Sequence, residues 1–213
     1  MQAKFDLANK QTNKVHKSKQ VSFRPAKGSS IKVEPIKDLK AIKRIKQILA
    51  DKPRDLCLFT LGINTAYRAG ELLSIKVGQV EHLNAGDSLT IRQTKTGKLR
   101  SVTLNQICII SIQSYLTQIP LQSSQNLFTG QRGVLTVSSV NRLVKRWCSD
   151  VGLRGNYGSH TLRKTFGYQQ RVKQGAPLPL LVEAFGHTTQ KQTLDYLCIQ
   201  EEEIRDLYLS MEL

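Results

Sequence analysis

His160 and Arg163 stand three residues apart in Ser159-His160-Thr161-Leu162-Arg163, so they share one face if a helix opens there. Ser159 and Thr161 are both cap-forming types, and the positively polarised end of a helix carrying a His and an Arg suits an anion. Arg68 precedes Glu71 by three residues in an apolar stretch. A carboxylate behind a guanidinium can aim its planar fork at a phosphate, or the two can form a plain local ion pair. Lys95 lies in Thr94-Lys95-Thr96-Gly97-Lys98, where an ammonium could swing in to deliver a proton or simply be solvated. Tyr196 follows Gly186-His187 in Leu194-Asp195-Tyr196-Leu197. Its phenol reads either as a nucleophile or as half-buried core with the hydroxyl turned outward.

The elements that must position these residues are mostly helical. Apolar Leu39, Ile42, Ile45, Ile48 and Leu49 recur every three or four positions between lysines and predict an amphipathic helix over 36–50. A second helix is expected after Pro53, running toward Tyr67 and a short helix that ends near Ile75. Residues 88–92 and 99–104 are rich in β-branched types and predict two strands, with Gly97 supplying the turn. Further helices are expected over 106–118, 137–151, 160–174, 178–185, 189–198 and 201–211, punctuated by glycines and prolines. The fold class is therefore α+β: mostly α-helical, with one small antiparallel sheet.

An Arg, a hairpin Lys, a His-x-x-Arg helix, a Gly-His and a Tyr follow one another in that order. The order resembles the catalytic domain of tyrosine recombinases, the phage integrase family. The boxes that carry the resemblance are Thr65-Ala66-Tyr67-Arg68-Ala69-Gly70-Glu71-Leu72-Leu73-Ser74-Ile75, Thr94-Lys95-Thr96-Gly97-Lys98, Ser159-His160-Thr161-Leu162-Arg163-Lys164-Thr165-Phe166, and Phe185-Gly186-His187 with Thr193-Leu194-Asp195-Tyr196; together they span roughly residues 35–200. The resemblance implies the fold of that catalytic domain and attack of Tyr196 on a DNA phosphodiester, giving a 3′-phosphotyrosine and a free 5′-hydroxyl without metal, ATP or other cofactor. Arg68 and Arg163 would clamp the non-bridging oxygens, His160 would accept the phenol proton, His187 would donate to a non-bridging oxygen, and Lys95 would protonate the leaving oxygen. Glu71 would support its neighbours. The implied partner is double-stranded DNA at specific recombination sites, bound by a homotetramer, with accessory DNA-bending or directionality proteins. Lys98, Arg142, Lys145, Arg146 and Lys173 are candidate DNA-facing residues. Two other readings fit the same boxes: a DNA-binding member of the fold without cleavage, and strand cleavage of the type IB topoisomerase kind.

This sequence departs from the family pattern in three places. Lys164 stands where histidine often follows the second arginine, and its side chain is expected to point away from the phosphate. Val77 and Gln79 replace the aromatic and acidic residues common after the first box. Only about 30 residues, rich in lysine, precede the expected catalytic domain, as in short family members that have no N-terminal clamp domain or in a piece cut from a longer protein. Residues 1–30 are expected to form a flexible basic arm, with the catalytic domain over 31–213.

Composition agrees with a polyanionic partner. The 213-residue chain carries a formal charge of +16; residues 1–50 hold 13 Lys/Arg against three acids, and the remainder 19 against 13. Such a balance speaks for nucleic acid, an anionic surface or acidic proteins. The longest apolar runs, such as 56–63, fall far short of the roughly 20 residues a membrane helix needs, and no secretory leader is evident. Cys57, Cys108, Cys148 and Cys198 are scattered without a C-x-x-C pair, which argues against zinc and disulfides and for a reducing cytoplasm; the family resemblance implies association with the nucleoid there.

Overall fold

The computed structural model describes residues 32–93, 97–197, 205 and 208–210. The expected arm over 1–30, Lys95, Cys198 and all but four residues of the expected helix over 201–211 lie outside the described residues. Among the described residues eight α-helices order the chain: α1 Leu39–Ile48, α2 Pro53–Asn64, α3 Ala69–Ser74, α4 Gln106–Gln118, α5 Val137–Asp150, α6 Ser159–Tyr168, α7 Leu178–Phe185 and α8 Gln190–Leu197. Between α3 and α4 comes the antiparallel hairpin of β1 Ser88–Arg92 and β2 Leu99–Thr103. The expected class, mostly helical with a small antiparallel sheet, is what the chain has, and beside the expected hairpin lies a second, two-residue ribbon, β3 Thr129–Gly130 with β4 Gly133–Val134. Pairs that short carry no alternation a sequence pattern could reveal.

Local sequence accounts for most helix starts. Asp38 accepts from the backbone N–H groups of Lys40 and Ala41, Asn105 from that of Cys108, and Thr136 from that of Ser139. Pro53 opens α2, where its missing N–H costs nothing. Amphipathic α1 buries Ala41, Ile42 and Ile45, whereas α2 is apolar nearly all round and forms the centre of the core. α2 and α6 approach so closely at Gly62 that a Cβ there would lie 2.5 Å from Cδ1 of Leu162. Cys57, Cys108 and Cys148 are buried free thiols, as their apolar settings imply. Among the described residues no helix is long and apolar enough to cross a membrane.

α6 departs in two ways from the expected helix over 160–174. It begins at Ser159, with the Thr161 hydroxyl accepting the Gly158 N–H at 3.0 Å and donating to the Glu34 carbonyl at 2.9 Å. Of the two expected caps, Thr161 is the one that serves; the Ser159 N–H is instead taken by Asn141 Oδ1 of α5. After Tyr168 the helix loosens into a single π turn, Gln169–Lys173. The extended segment before α1 runs along α6, where Ile36 N–H bonds Thr165 Oγ1 and Gln169 Nε2 bonds the Ile36 carbonyl.

A main cluster of buried side chains joins α1 to α5, β1 and Leu162 of α6. A smaller one gathers Ala66, Leu181, Phe185 and Leu197, with Tyr196 and Phe166 packed on it. At Gly167 of α6 an added Cβ would run into Phe185 Cζ and sit 2.8 Å from Leu197 Cδ2, so a hydrogen there lets the ends of α7 and α8 close onto α6.

Candidate active site

Five of the six residues singled out by type and order meet in one place, where the start of α6, the loop into α3, the α7–α8 turn and α8 converge. The sixth, Lys95, belongs to the segment that joins β1 to β2 and lies outside the described residues. On either side of it the hairpin is pinned by Gln93 N–H to the Lys98 carbonyl and by Gly97, whose φ of 68° favours glycine.

The hydroxyl of Tyr196 lies 3.3 Å from His160 Nδ1. Its ring is edge-on to Phe185 and to His187, with centroids 5.2 and 5.4 Å away. Gly186 ends α7 in the left-handed conformation, φ 59°, and so turns His187 back toward α8. There His187 stacks on Phe185 at 5.1 Å, and its Nδ1 is 2.9 Å from Thr193 Oγ1. That pairing fixes the ring and leaves Nε2 as the nitrogen available to a ligand.

Glu71, expected to steady Arg68, does more. Its Oε2 accepts the Arg68 backbone N–H at 2.6 Å and Oε1 pairs with Arg68 Nη1 at 2.8 Å. The same Oε2 pairs with Arg100 Nη1 at 2.9 Å and lies 3.9 Å from Arg163 Nη1. Arg100 and Arg163 also both donate to the Ala66 carbonyl. Ala66 has φ 52°, a left-handed conformation that a residue with a Cβ seldom adopts. Each guanidinium is further anchored to the end of α7, Arg100 on the Ala184 carbonyl and Arg163 on the Phe185 carbonyl. Arg163 is 1% exposed, while the side chain of Arg68 is 40% exposed. Arg68 thus faces the open side, and Arg163 forms the floor beneath the Tyr196 ring, 5.6 Å from its centroid.

Electrostatics follow from three guanidiniums sharing one carboxylate. Burial pushes the Arg163 guanidinium down to about 10, still charged at neutral pH. Burial, reinforced by Arg163, Arg68 and Arg100, pushes His187 down to about 4. His160 is lowered by burial and then by Arg163, Arg68 and Lys164. Both imidazoles are therefore neutral at pH 7, and a neutral ring can accept a proton or donate one hydrogen bond. The surroundings that keep them neutral would welcome an anion.

Two residues of the site are not singled out by sequence as part of it. Arg100 carries a signal all the same: it pairs with Ile91 on the inward side of the hairpin, two residues from Val102, so the strand alternation puts a guanidinium where an apolar residue belongs. Lys164 is a correction. Expected to point away from the phosphate, it is instead buried, with its Nζ 5.1 Å from the centroid of the Tyr196 ring. It stands four residues after His160, so it shares the face of α6 that meets α8. The candidate DNA-facing residues Lys98, Arg142, Lys145, Arg146 and Lys173 are all exposed. Three of them lie on α5 and Lys173 ends the π turn.

Glu71→Ala should cost about 3–5 kcal/mol, because it leaves the buried Arg100 without its counter-charge. Urea unfolding measures this, and a loss below about 1 kcal/mol would show that the carboxylate is not the brace. His187 gives a pH dependence with a definite sign. An unfolded histidine protonates near pH 6.5, whereas folded His187 refuses the proton until about pH 4. Its contribution is whole above about pH 6.5 and is lost as the pH falls toward 4. Stability at pH 5 should be lower than at pH 7, and His187→Gln should shrink that difference; an unchanged difference would exclude His187 as its source.

Comparison with known proteins bears on family and fold. Residues 36–203 match the phage integrase family. A probable integrase/recombinase, YoeC, of Bacillus subtilis is 32% identical over 181 residues, covering 83% of this chain and 95% of that protein. Tyrosine recombinase XerC of Caldanaerobacter subterraneus is 28% identical over 160 residues, 73% of this chain but 44% of the relative, so the chain spans less than half of that longer protein. Among solved structures, XerA recombinase superposes with a TM-score of 0.69 at 20% identity, covering 88% of this chain and 66% of that one. A post-cleavage complex of XerH site-specific recombinase with its palindromic difH substrate gives 0.66 at 21%, covering 85% and 54%. These two superpositions establish the fold, that of the tyrosine recombinase catalytic domain. With the family matched over most of its length, this chain belongs to the phage integrase family.

Proposed function

We propose that this chain cuts and rejoins double-stranded DNA at specific sites, with Tyr196 as the nucleophile. The observation that carries the reading is the Tyr196 hydroxyl 3.3 Å from a neutral His160, above Arg163, with the open Arg68 adding its charge at His160. In the first step the phenol oxygen bonds to phosphorus and the bond to the 5′-oxygen breaks. The phenol proton passes to His160, and the leaving oxygen takes one from Lys95. Arg68 holds a non-bridging oxygen from the open side, and the charge of Arg163 on the floor stabilises the pentavalent state as its negative charge builds. His187 donates from Nε2 to the same phosphate. The second step reverses the first with a different 5′-hydroxyl, so no outside energy source is needed.

The partners in this reading are recombination sites paired by a homotetramer, with accessory DNA-bending or directionality proteins deciding the outcome. The basic residues of α5, Lys98, Lys173 and the Lys-rich first 50 residues add sequence-independent phosphate contacts, which weaken as salt rises. Cytoplasmic action on the nucleoid belongs to the same reading.

The test works without choosing a target sequence in advance. A pool of nicked duplexes with randomised sequence, incubated with the protein and denatured, should yield covalent protein–DNA adducts that share a sequence. Tyr196→Phe should yield none, and Arg68→Ala should slow their formation about 10²–10³-fold. Persistence of the adduct in Tyr196→Phe would remove Tyr196 as nucleophile. Adducts on unrelated sequences would point to the topoisomerase kind of cleavage, and specific binding without adducts to a silent binding protein. Because Tyr196 meets His160, Arg163 and His187 of its own chain, cleavage is proposed in cis. Mixing Tyr196→Phe with Arg68→Ala protein should then restore nothing, whereas recovered adduct would mean that the tyrosine is delivered to a neighbour.

A further inference from the structure

Lys164 is a buried charge at this site to which the reaction as described gives no part. It is 7% exposed, and its ammonium lies 5.1 Å from the centroid of the Tyr196 ring. Its place follows from the helix. His160, Arg163, Lys164 and Gly167 fall at i, i+3, i+4 and i+7 of one stripe of α6. Gly167 marks that stripe as the one on which Phe185 and Leu197 close. The first three therefore meet the same tyrosine: His160 at its hydroxyl, Arg163 and Lys164 at its ring.

A buried ammonium is costly beside an apolar side chain of the same length, so methionine would be the cheaper filling for this space. The ammonium also gives something methionine cannot. Its attraction to the aromatic face holds the ring in place, and it grows as the phenol oxygen gains negative charge. We propose that Lys164 is a positioning residue for Tyr196, fixing the ring against α6 and favouring the ionised oxygen that attacks. The proposal rests on the reading of Tyr196 as nucleophile, but its geometry stands without DNA. The titratable and charged groups that face the tyrosine are His160, Arg163 and Lys164 from α6 and His187 from the α7–α8 turn, with Arg68 from the start of α3 adding to the field at both histidines.

The experiment places 3-fluorotyrosine at position 196 of the full chain and follows its fluorine resonance against pH in the absence of DNA. Three proteins are compared: the parent, Lys164→Met, which keeps the volume, and Lys164→Arg, which keeps the charge. Removing the charge should raise the midpoint of the phenol titration by about one pH unit, and Lys164→Arg should return it most of the way. Equal midpoints in the parent and Lys164→Met would overturn the proposal. So would a shift in Lys164→Arg as large as that in Lys164→Met, because it would mark a packing effect. Should Lys164→Met fail to fold, Lys164→Gln serves for the same comparison. In the adduct assay with unlabelled protein, Lys164→Met should lower the rate on the order of tenfold with little change in DNA binding. A shifted titration with no adduct on any duplex would sustain the role of Lys164 while removing the cleavage reading.

Discussion

Arg68, Arg100 and Arg163 converge within a few ångströms of one another, and like charges at 4–8 Å repel by about 2–4 kcal/mol even at an effective dielectric of 20. Something negative must sit among them before a substrate arrives. Glu71 supplies it, with one oxygen on Arg68 and the other shared between Arg100 and, at longer range, Arg163. Backbone carbonyls of Ala66, Ala184 and Phe185 complete the packing of the two buried guanidiniums. One carboxylate against three guanidiniums still leaves the place positive, and that residual charge makes it a site for an anion rather than a closed structural network.

The same arrangement ties separate elements together. Arg100 reaches from β2 to the loop before α3 and to the end of α7, so the hairpin that carries Lys95 in sequence is fixed to the loop that leads to Arg68 and to the helix end that also anchors Arg163. Tyr67 reinforces the link through its hydroxyl on the Leu89 carbonyl and its ring under Arg100. The left-handed backbone at Ala66 is the strained point of this framework, placed where one carbonyl accepts from two guanidiniums. Rigidity of this kind lets charged groups meet a developing negative charge without reorganising at the moment of reaction.

Neutral histidines are the chemical consequence. Both imidazoles feel the guanidiniums and are partly withdrawn from water, so both resist protonation. A neutral imidazole can accept a proton at neutral pH, and the positive surroundings that keep it neutral also suit an anion. Lys164 adds a further positive charge, 5.1 Å from the centroid of the Tyr196 ring.

Much of this is legible in the residues alone. Period and caps place the helices to within a few positions, since Asp38, Asn105, Thr136 and Pro53 act on the backbone beside them. The order Arg68, Lys95, His160, Arg163, His187 and Tyr196 marks the family, and spacing within α6 tells that His160 and Arg163 share a face. Tertiary structure decided what depends on partners distant in sequence: that Glu71 braces Arg100 as well as Arg68, that Arg163 lies on the floor while Arg68 stays open, and that Lys164 turns toward the tyrosine. The physical reason is that a charged side chain in a helix or strand reads as solvated until the element that covers it is known. α8 and the end of α7 are that cover, and they meet α6 only because Gly167 leaves them room.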